Sequence, residues 1–232
     1  MKYYILSPLG RTGSKRIFDP LALKLNEEAE DSARFSIPRS THDDRCCLLR
    51  GNQENVNYIG ADGIDILDTW SAPIATHSHN SACMPTSNDD WKFILSARKR
   101  KIDCVLSRLV AIESHVFHPA VKDTKLKEGF GPFEADMNLV SSLMEDYITE
   151  ENAYVEKVRA LGSEPIVIYM EDSFDTVQEK LGTSFKDDAG VHDTNTISNL
   201  KAVDYVTNYD AIQAMYDENL SDYQSRFFSD TE

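Results

Sequence analysis

The chain of 232 residues lacks several features that would announce a function. No run of about eighteen apolar residues occurs anywhere, which excludes a hydrophobic helical membrane span. Met1-Lys2-Tyr3-Tyr4-Ile5-Leu6 runs into Pro8 and Gly10 too soon for a secretory leader, so the expectation is a soluble, cytoplasmic protein. Only four cysteines are present, Cys46, Cys47, Cys83 and Cys104, and none forms a CxxC pair. They are read as reduced thiols, neither a zinc site nor an ordinary disulfide framework. Cations are scarce too: 24 Lys and Arg face 39 Asp and Glu, a formal charge of −15 that repels nucleic acid over most of the surface. No internal repeat and no low-complexity tract appears.

The few cations are grouped. Arg11, Lys15 and Arg16 fall within one turn, and Arg98-Lys99-Arg100-Lys101 are contiguous, whereas the acids are spread over residues 27–44, 134–156 and the C-terminal third. A basic run is commonly a solvated face, but both of these follow a buried strand. A small anion is thus the ligand that the charge pattern admits.

Periodicity predicts the framework. Lys2 to Ser7 forms an apolar strand broken by Pro8 and Gly10, and Ile17, Leu21 and Leu25 share one helical face behind it, with Pro20 either near the first turn or dividing the helix. Residues 30–72 resolve only into loops and short elements. Strands are predicted at 73–77, 91–97 and 165–170. Helices are predicted from just after Ala97, across 133–161 with Gly162 as stop, and from the Ser173 cap to Gly182. Tyr205 to Tyr216 reads as a last strand-then-helix unit. Strands alternating with helices imply one α/β domain over residues 1–232, three layers around a mainly parallel sheet, with the ligand crevice at the carboxyl ends of the strands.

The segment Ser7-Pro8-Leu9-Gly10-Arg11-Thr12-Gly13-Ser14-Lys15-Arg16 places small and hydroxyl residues between a strand and a helix. Amides freed there, together with the helix dipole, make an anion site, to which Thr12 and Ser14 can add hydroxyl donors. An ATPase loop would require four residues between its first Gly and a Gly-Lys-Ser/Thr ending, and Gly13 is followed instead by Ser14-Lys15. His77 and His79 lie on one face of a strand. His115 and His118 have helical spacing but no third ligand, and are read as helix-end residues.

These segments resemble the sulfotransferases that use 3′-phosphoadenosine 5′-phosphosulfate. Arg11-Thr12-Gly13-Ser14-Lys15 matches the Lys/Arg-Ser/Thr-Gly-Thr/Ser-Thr core of their 5′-phosphosulfate loop. Arg98 and Ser107 match the Arg and Ser that clamp the 3′-phosphate, with Arg100 and Lys99 as rivals for the Arg. Ala75-Thr76-His77 is similar to the Lys-Thr-His that supplies the base, with His79 as competitor. The strand 166–172 before Leu181-Gly182, and Asn208-Tyr209-Asp210, are similar to later family segments. Ala75 in place of Lys, Arg16 in place of an aromatic residue and the missing late Gly-rich basic segment put the chain nearer the bacterial Stf-like branch than the animal cytosolic one.

The resemblance implies a P-loop NTPase-like fold and metal-free in-line sulfuryl transfer. In that scheme His77 is base, Arg11 stabilises the leaving oxygens, and the loop residues Arg11 to Arg16 with Arg98 and Ser107 hold the co-substrate. The acceptor, a small molecule, glycan or lipid, and the oligomeric state are left open, with Phe130-Gly131-Pro132-Phe133 available as a wall or lid. Two other readings compete: a Mg-dependent P-loop kinase or phosphotransferase, and a non-catalytic acidic interaction protein.

Overall fold

A computed structural model describes residues 2–28, 48–49, 57–58, 74–79, 81, 84–115, 128–185 and 202–230. Cys46, Cys47, Cys83, His118 and nearly all of the polar segment 30–72 lie outside the described residues. In chain order the elements are β1 (Lys2–Leu6), α1 (Lys15–Glu28), the two-residue strands β2 (Leu48–Leu49) and β3 (Asn57–Tyr58), β4 (Ile74–Ser78), β5 (Trp91–Ala97) and α2 (Lys101–Ser114). Then come α3 (Met137–Ala160), β6 (Ile166–Tyr169), α4 (Phe174–Leu181), α5 (Ala202–Tyr205), α6 (Tyr209–Glu218), α7 (Leu220–Arg226) and a 3-10 turn, Phe228–Asp230.

Strands β4, β1, β5 and β6 form, in that order, one sheet in which every pair is parallel. Strand β1 is central and buried throughout, so its alternating side chains feed two cores. Tyr4 and Leu6 pack with Phe93, Leu95 and the α3 residues Tyr154, Val155 and Val158. Tyr3 and Ile5 turn to the opposite face, against Ile17, Phe18, Leu21 and Leu25 of α1 and Val177 and Leu181 of α4. Helix α3 therefore covers one side, and α1 and α4 the other. Each such apolar side chain withdrawn from water contributes about 1.5–3 kcal/mol. A third cluster joins α2, α3, α6 and α7 through Leu106, Leu109, Met144, Tyr147, Ile212 and Tyr223, with Phe227 just beyond α7.

Local chemistry sets the boundaries. Ser173 accepts a hydrogen bond from the Thr176 amide, and Gly182 closes α4 at φ 61°, as the capping pattern predicts. Asp136 caps α3 through the Asn138 amide, and Gly162 follows that helix at φ 74°. Pro20 does not divide α1: it is buried inside the helix, whose ladder lacks one donor there.

The predicted strand around Tyr205 is a correction. Residues 202–205 are helical, and Val206 makes a single parallel bridge to Phe133. Its β-branched side chain is spent in the α2–α6 core instead. Segment 130–133 is correspondingly tied down, because Phe130 stacks on Tyr205 with ring centroids 4.8 Å apart and the Phe133 amide donates to the Tyr205 carbonyl at 2.8 Å.

Candidate functional site at the carboxyl edge of the sheet

Strands β1, β4, β5 and β6 all end on the same edge, and the predicted site residues gather there. The loop between β1 and α1 turns through three left-handed residues, Leu9, Gly10 and Gly13, at φ 56°, 67° and 80°. A Cβ on Gly13 would lie 2.8 Å from Met170 Cγ, and one on Gly10 would lie 2.8 Å from the His79 ring. Both glycines thus admit a neighbour as well as a turn.

Thr12 is fully buried and braces the loop. Its Oγ1 donates to Ser96 Oγ on β5 at 2.9 Å and lies 2.6 Å from Ser7 Oγ. That hydroxyl braces the loop between the end of β1 and β5. Ser14 Oγ lies 2.8 Å from His77 Nε2, and Arg16 donates from Nη1 to the Met170 carbonyl at 2.6 Å, which ties the start of α1 to the end of β6. Lys15 opens α1, and its side chain lies outside the described residues. No acid occupies the first turn of α1, leaving the positive end of its dipole uncompensated there.

The two predicted cationic groups meet. Arg98 Nε donates to the Arg11 carbonyl at 3.0 Å, and Arg11 Nε donates to Ser107 Oγ at 2.9 Å. Arg98, the first cation after β5, is the member of the basic run that reaches the loop. Arg100 is exposed and turned toward Gln213 Oε1 and Asp103, and Lys99 is exposed with its amide bonded to Glu171. The reason is geometric: the chain leaves a sheet edge at Ala97, so the next side chain still belongs to that edge, whereas Arg100 already stands at the N-cap of α2.

Burial holds the Arg11 guanidinium down to about 10 from an ordinary 12.5, and the like charges of Arg98 and Arg108 add to the effect. Arg108 is the member of this trio that sequence reasoning passed over. Its only signal was its position one residue after Ser107. Cys104, beneath the cluster, is pushed up to about 11 by burial, and its Sγ lies 3.8 Å from the Arg11 carbonyl. Three guanidiniums in one partly desolvated place favour an anion carrying more than one charge.

On the far side of the loop stand the two histidines of the β4 end. Their rings are perpendicular, with centroids 4.7 Å apart, and Phe18 flanks His77 at 6.0 Å. His79 Nδ1 lies 3.0 Å from the Ser7 carbonyl. His115 ends α2 as its left-handed C-cap, as the sequence suggests. Among the described residues no three His, Cys, Asp or Glu side chains gather as a metal-binding group, and no helix is long and apolar enough to cross a membrane.

The described residues define an α/β protein with a four-stranded, all-parallel main sheet, a separate antiparallel pair β2–β3, and a glycine-bearing loop after its first strand. Compared with family models, curated proteins and solved structures, the chain matches none.

Proposed function

We propose that this protein is a sulfotransferase on a P-loop NTPase-like scaffold. It moves a sulfuryl group from 3′-phosphoadenosine 5′-phosphosulfate to a hydroxyl or amine of a small-molecule, glycan or lipid acceptor. The observation that carries the reading is the contact chain Arg98 to Arg11 to Ser107, at 3.0 and 2.9 Å, beside a loop whose other flank holds His77 and His79. Cations for a nucleotide's phosphates and bases for an acceptor's proton thereby share one short loop.

The donor set fits such a co-substrate, because guanidiniums and a serine hydroxyl offer forked N–H and O–H donors to phosphate oxygens. The co-substrate supplies an activated sulfur whose bond to the bridging phosphate oxygen breaks on transfer. Arg98 and Ser107 hold the 3′-phosphate, and Arg11, drawn toward Ser107, joins them. The amino end of α1 and Ser14 face the charge that builds on the leaving oxygens. A histidine of the β4 pair receives the acceptor proton.

Thermal unfolding with three probes tests this reading. Adenosine 3′,5′-bisphosphate should raise the melting temperature with no metal added, and Arg98→Ala should abolish the rise. A rise with ATP and Mg²⁺ alone would replace the proposal with phosphoryl transfer. No rise with any nucleotide would leave an interaction protein.

A further inference from the structure

Three hydroxyls shut away from water sit beneath the loop between β1 and α1. Ser7, Thr12 and Ser96 are each wholly buried, and each hydroxyl has one proton to donate. A carbonyl oxygen can only accept, so the 3.2 Å contact between Ser96 Oγ and the Thr12 carbonyl uses the Ser96 proton. Ser96 Oγ in turn accepts from Thr12 Oγ1 at 2.9 Å, which uses the Thr12 proton. Ser7 Oγ, 2.6 Å from Thr12 Oγ1, is then the donor in the remaining contact. The hydroxyl order runs from Ser7 to Thr12 to Ser96 and ends on the Thr12 carbonyl.

That last contact sets a direction in the loop. The Thr12–Gly13 peptide is planar and trans, so its N–H and its C=O point opposite ways. With the carbonyl held by Ser96 of β5, the Gly13 amide is turned away from that strand. Arg98, two residues after Ser96, holds the preceding peptide by donating from Nε to the Arg11 carbonyl at 3.0 Å, which turns the Thr12 amide away in the same manner. Among the described residues the amides of Thr12, Gly13 and Ser14 make no hydrogen bond. Consecutive amides without a protein acceptor are the donor set that takes an oxyanion.

We propose that Ser96 is a positioning residue, whose hydroxyl proton fixes the Thr12–Gly13 peptide so that the Gly13 amide is preset for a sulfate- or phosphate-type oxyanion. The identity of that oxyanion, the 5′ end of the co-substrate, rests on the sulfotransferase reading. Without the Ser96 donor the peptide is free to turn over, because a glycine at position 13 accepts either sense of the backbone. The amide must then be reoriented at each binding event, which lowers affinity.

Ser96→Ala removes that one proton. In calorimetry, inorganic sulfate and adenosine 3′,5′-bisphosphate should each bind about 10- to 100-fold more weakly to this variant, the range for losing a hydrogen bond to a charged group. Val158→Ala, a core truncation in α3, should destabilise the fold yet leave both affinities within about twofold of wild type. The Gly13 amide should show an NMR order parameter of about 0.85 in the wild type, falling toward about 0.6 in Ser96→Ala. Unchanged affinity in Ser96→Ala, or an equal loss in Val158→Ala, would overturn the proposal. So would a wild-type Gly13 amide already at about 0.6, a measurement that needs no variant to fold. Wild-type binding of sulfate without binding of bisphosphate would remove the sulfotransferase reading, while the Ser96 assignment stands or falls on the sulfate affinities. Binding of neither anion would overturn both.

Discussion

Lys101 Nζ lies 2.9 Å from Asp230 Oδ1, with the lysine side chain wholly shielded from water. The same ammonium donates to the Arg98 carbonyl at 2.8 Å and to Ser229 Oγ at 2.6 Å, so its three N–H groups meet three acceptors. The ring faces of Tyr169 and Phe227 enclose it, at 5.5 and 5.2 Å. Tyr169 also donates its hydroxyl proton to the Ser229 carbonyl. The C-terminal turn is thereby fastened to the junction of β5 and α2, directly behind the arginine that reaches the loop. Lys101→Met should cost about 3–5 kcal/mol in urea unfolding, the range for breaking a buried ion pair by removing one partner. Asp230→Asn keeps an acceptor for the lysine but leaves the buried ammonium without its counter-charge, and should cost a similar amount.

Glu151, buried in α3, belongs to the same assembly. Its Oε1 accepts from the Ser229 amide at 2.8 Å, and its Oε2 has no hydrogen-bond partner among the described residues. Burial raises its carboxyl above the ordinary 4.5 against the opposing pull of Lys101. The folded protein therefore keeps a proton that the unfolded chain gives up. That stabilisation is complete below about pH 4.5 and is lost as pH rises through the folded value. Glu151→Gln retains an acceptor for Ser229 and removes the titration. Unfolding free energies for the two proteins should accordingly diverge in favour of the variant as pH rises above the ordinary carboxyl value of 4.5.

At Gly13 the loop tolerates no side chain. An added Cβ meets Met170 Cγ at 2.8 Å, and the backbone sits at φ 80°. Gly13→Ala should destabilise by about 1–3 kcal/mol, the cost of a strained backbone position, and should weaken bisphosphate binding in calorimetry. Met170→Ala in the same chain should restore only part of the stability, because it relieves the clash and leaves the φ strain.

Arg11 gives a proton signature. Its folded value of about 10 lies below the ordinary 12.5, so the buried charge weakens the fold at every pH below about 10, and the penalty fades as pH rises toward 12.5. A bound anion raises the value again. Inorganic sulfate, which does not itself titrate there, should bind near pH 10 with uptake of a fraction of a proton, and near pH 7 with none. Calorimetry in buffers of different ionisation enthalpy measures this, and Arg11→Ala should abolish the uptake.

Much of the framework was legible because it is locally encoded. The apolar runs at Lys2–Leu6 and Trp91–Ala97 suit only buried strands, and Ser173 and Gly182 carry the chemistry of a helix start and stop within an eight-residue helix. Tyr205–Val206 was misread because aromatic and β-branched residues mark both strands and packed helix junctions, and only the presence of Phe133 opposite decides between them. Arg11, Arg98, Ser107 and His77 were visible as residue types suited to an anion. Their mutual contacts were not, since Arg11 and Ser107 stand 96 positions apart.

The order of apolar strands, the capped helices, the glycine-bearing turn and the scarcity of cations follow from the amino acids alone, because each depends on neighbours within a few residues or on composition. Which arginine of the basic run reaches the loop, and that Lys101 is a buried anchor, were decided only by folding. Each is settled by a partner brought in from elsewhere in the chain: the Arg11 carbonyl for Arg98 and Asp230 for Lys101.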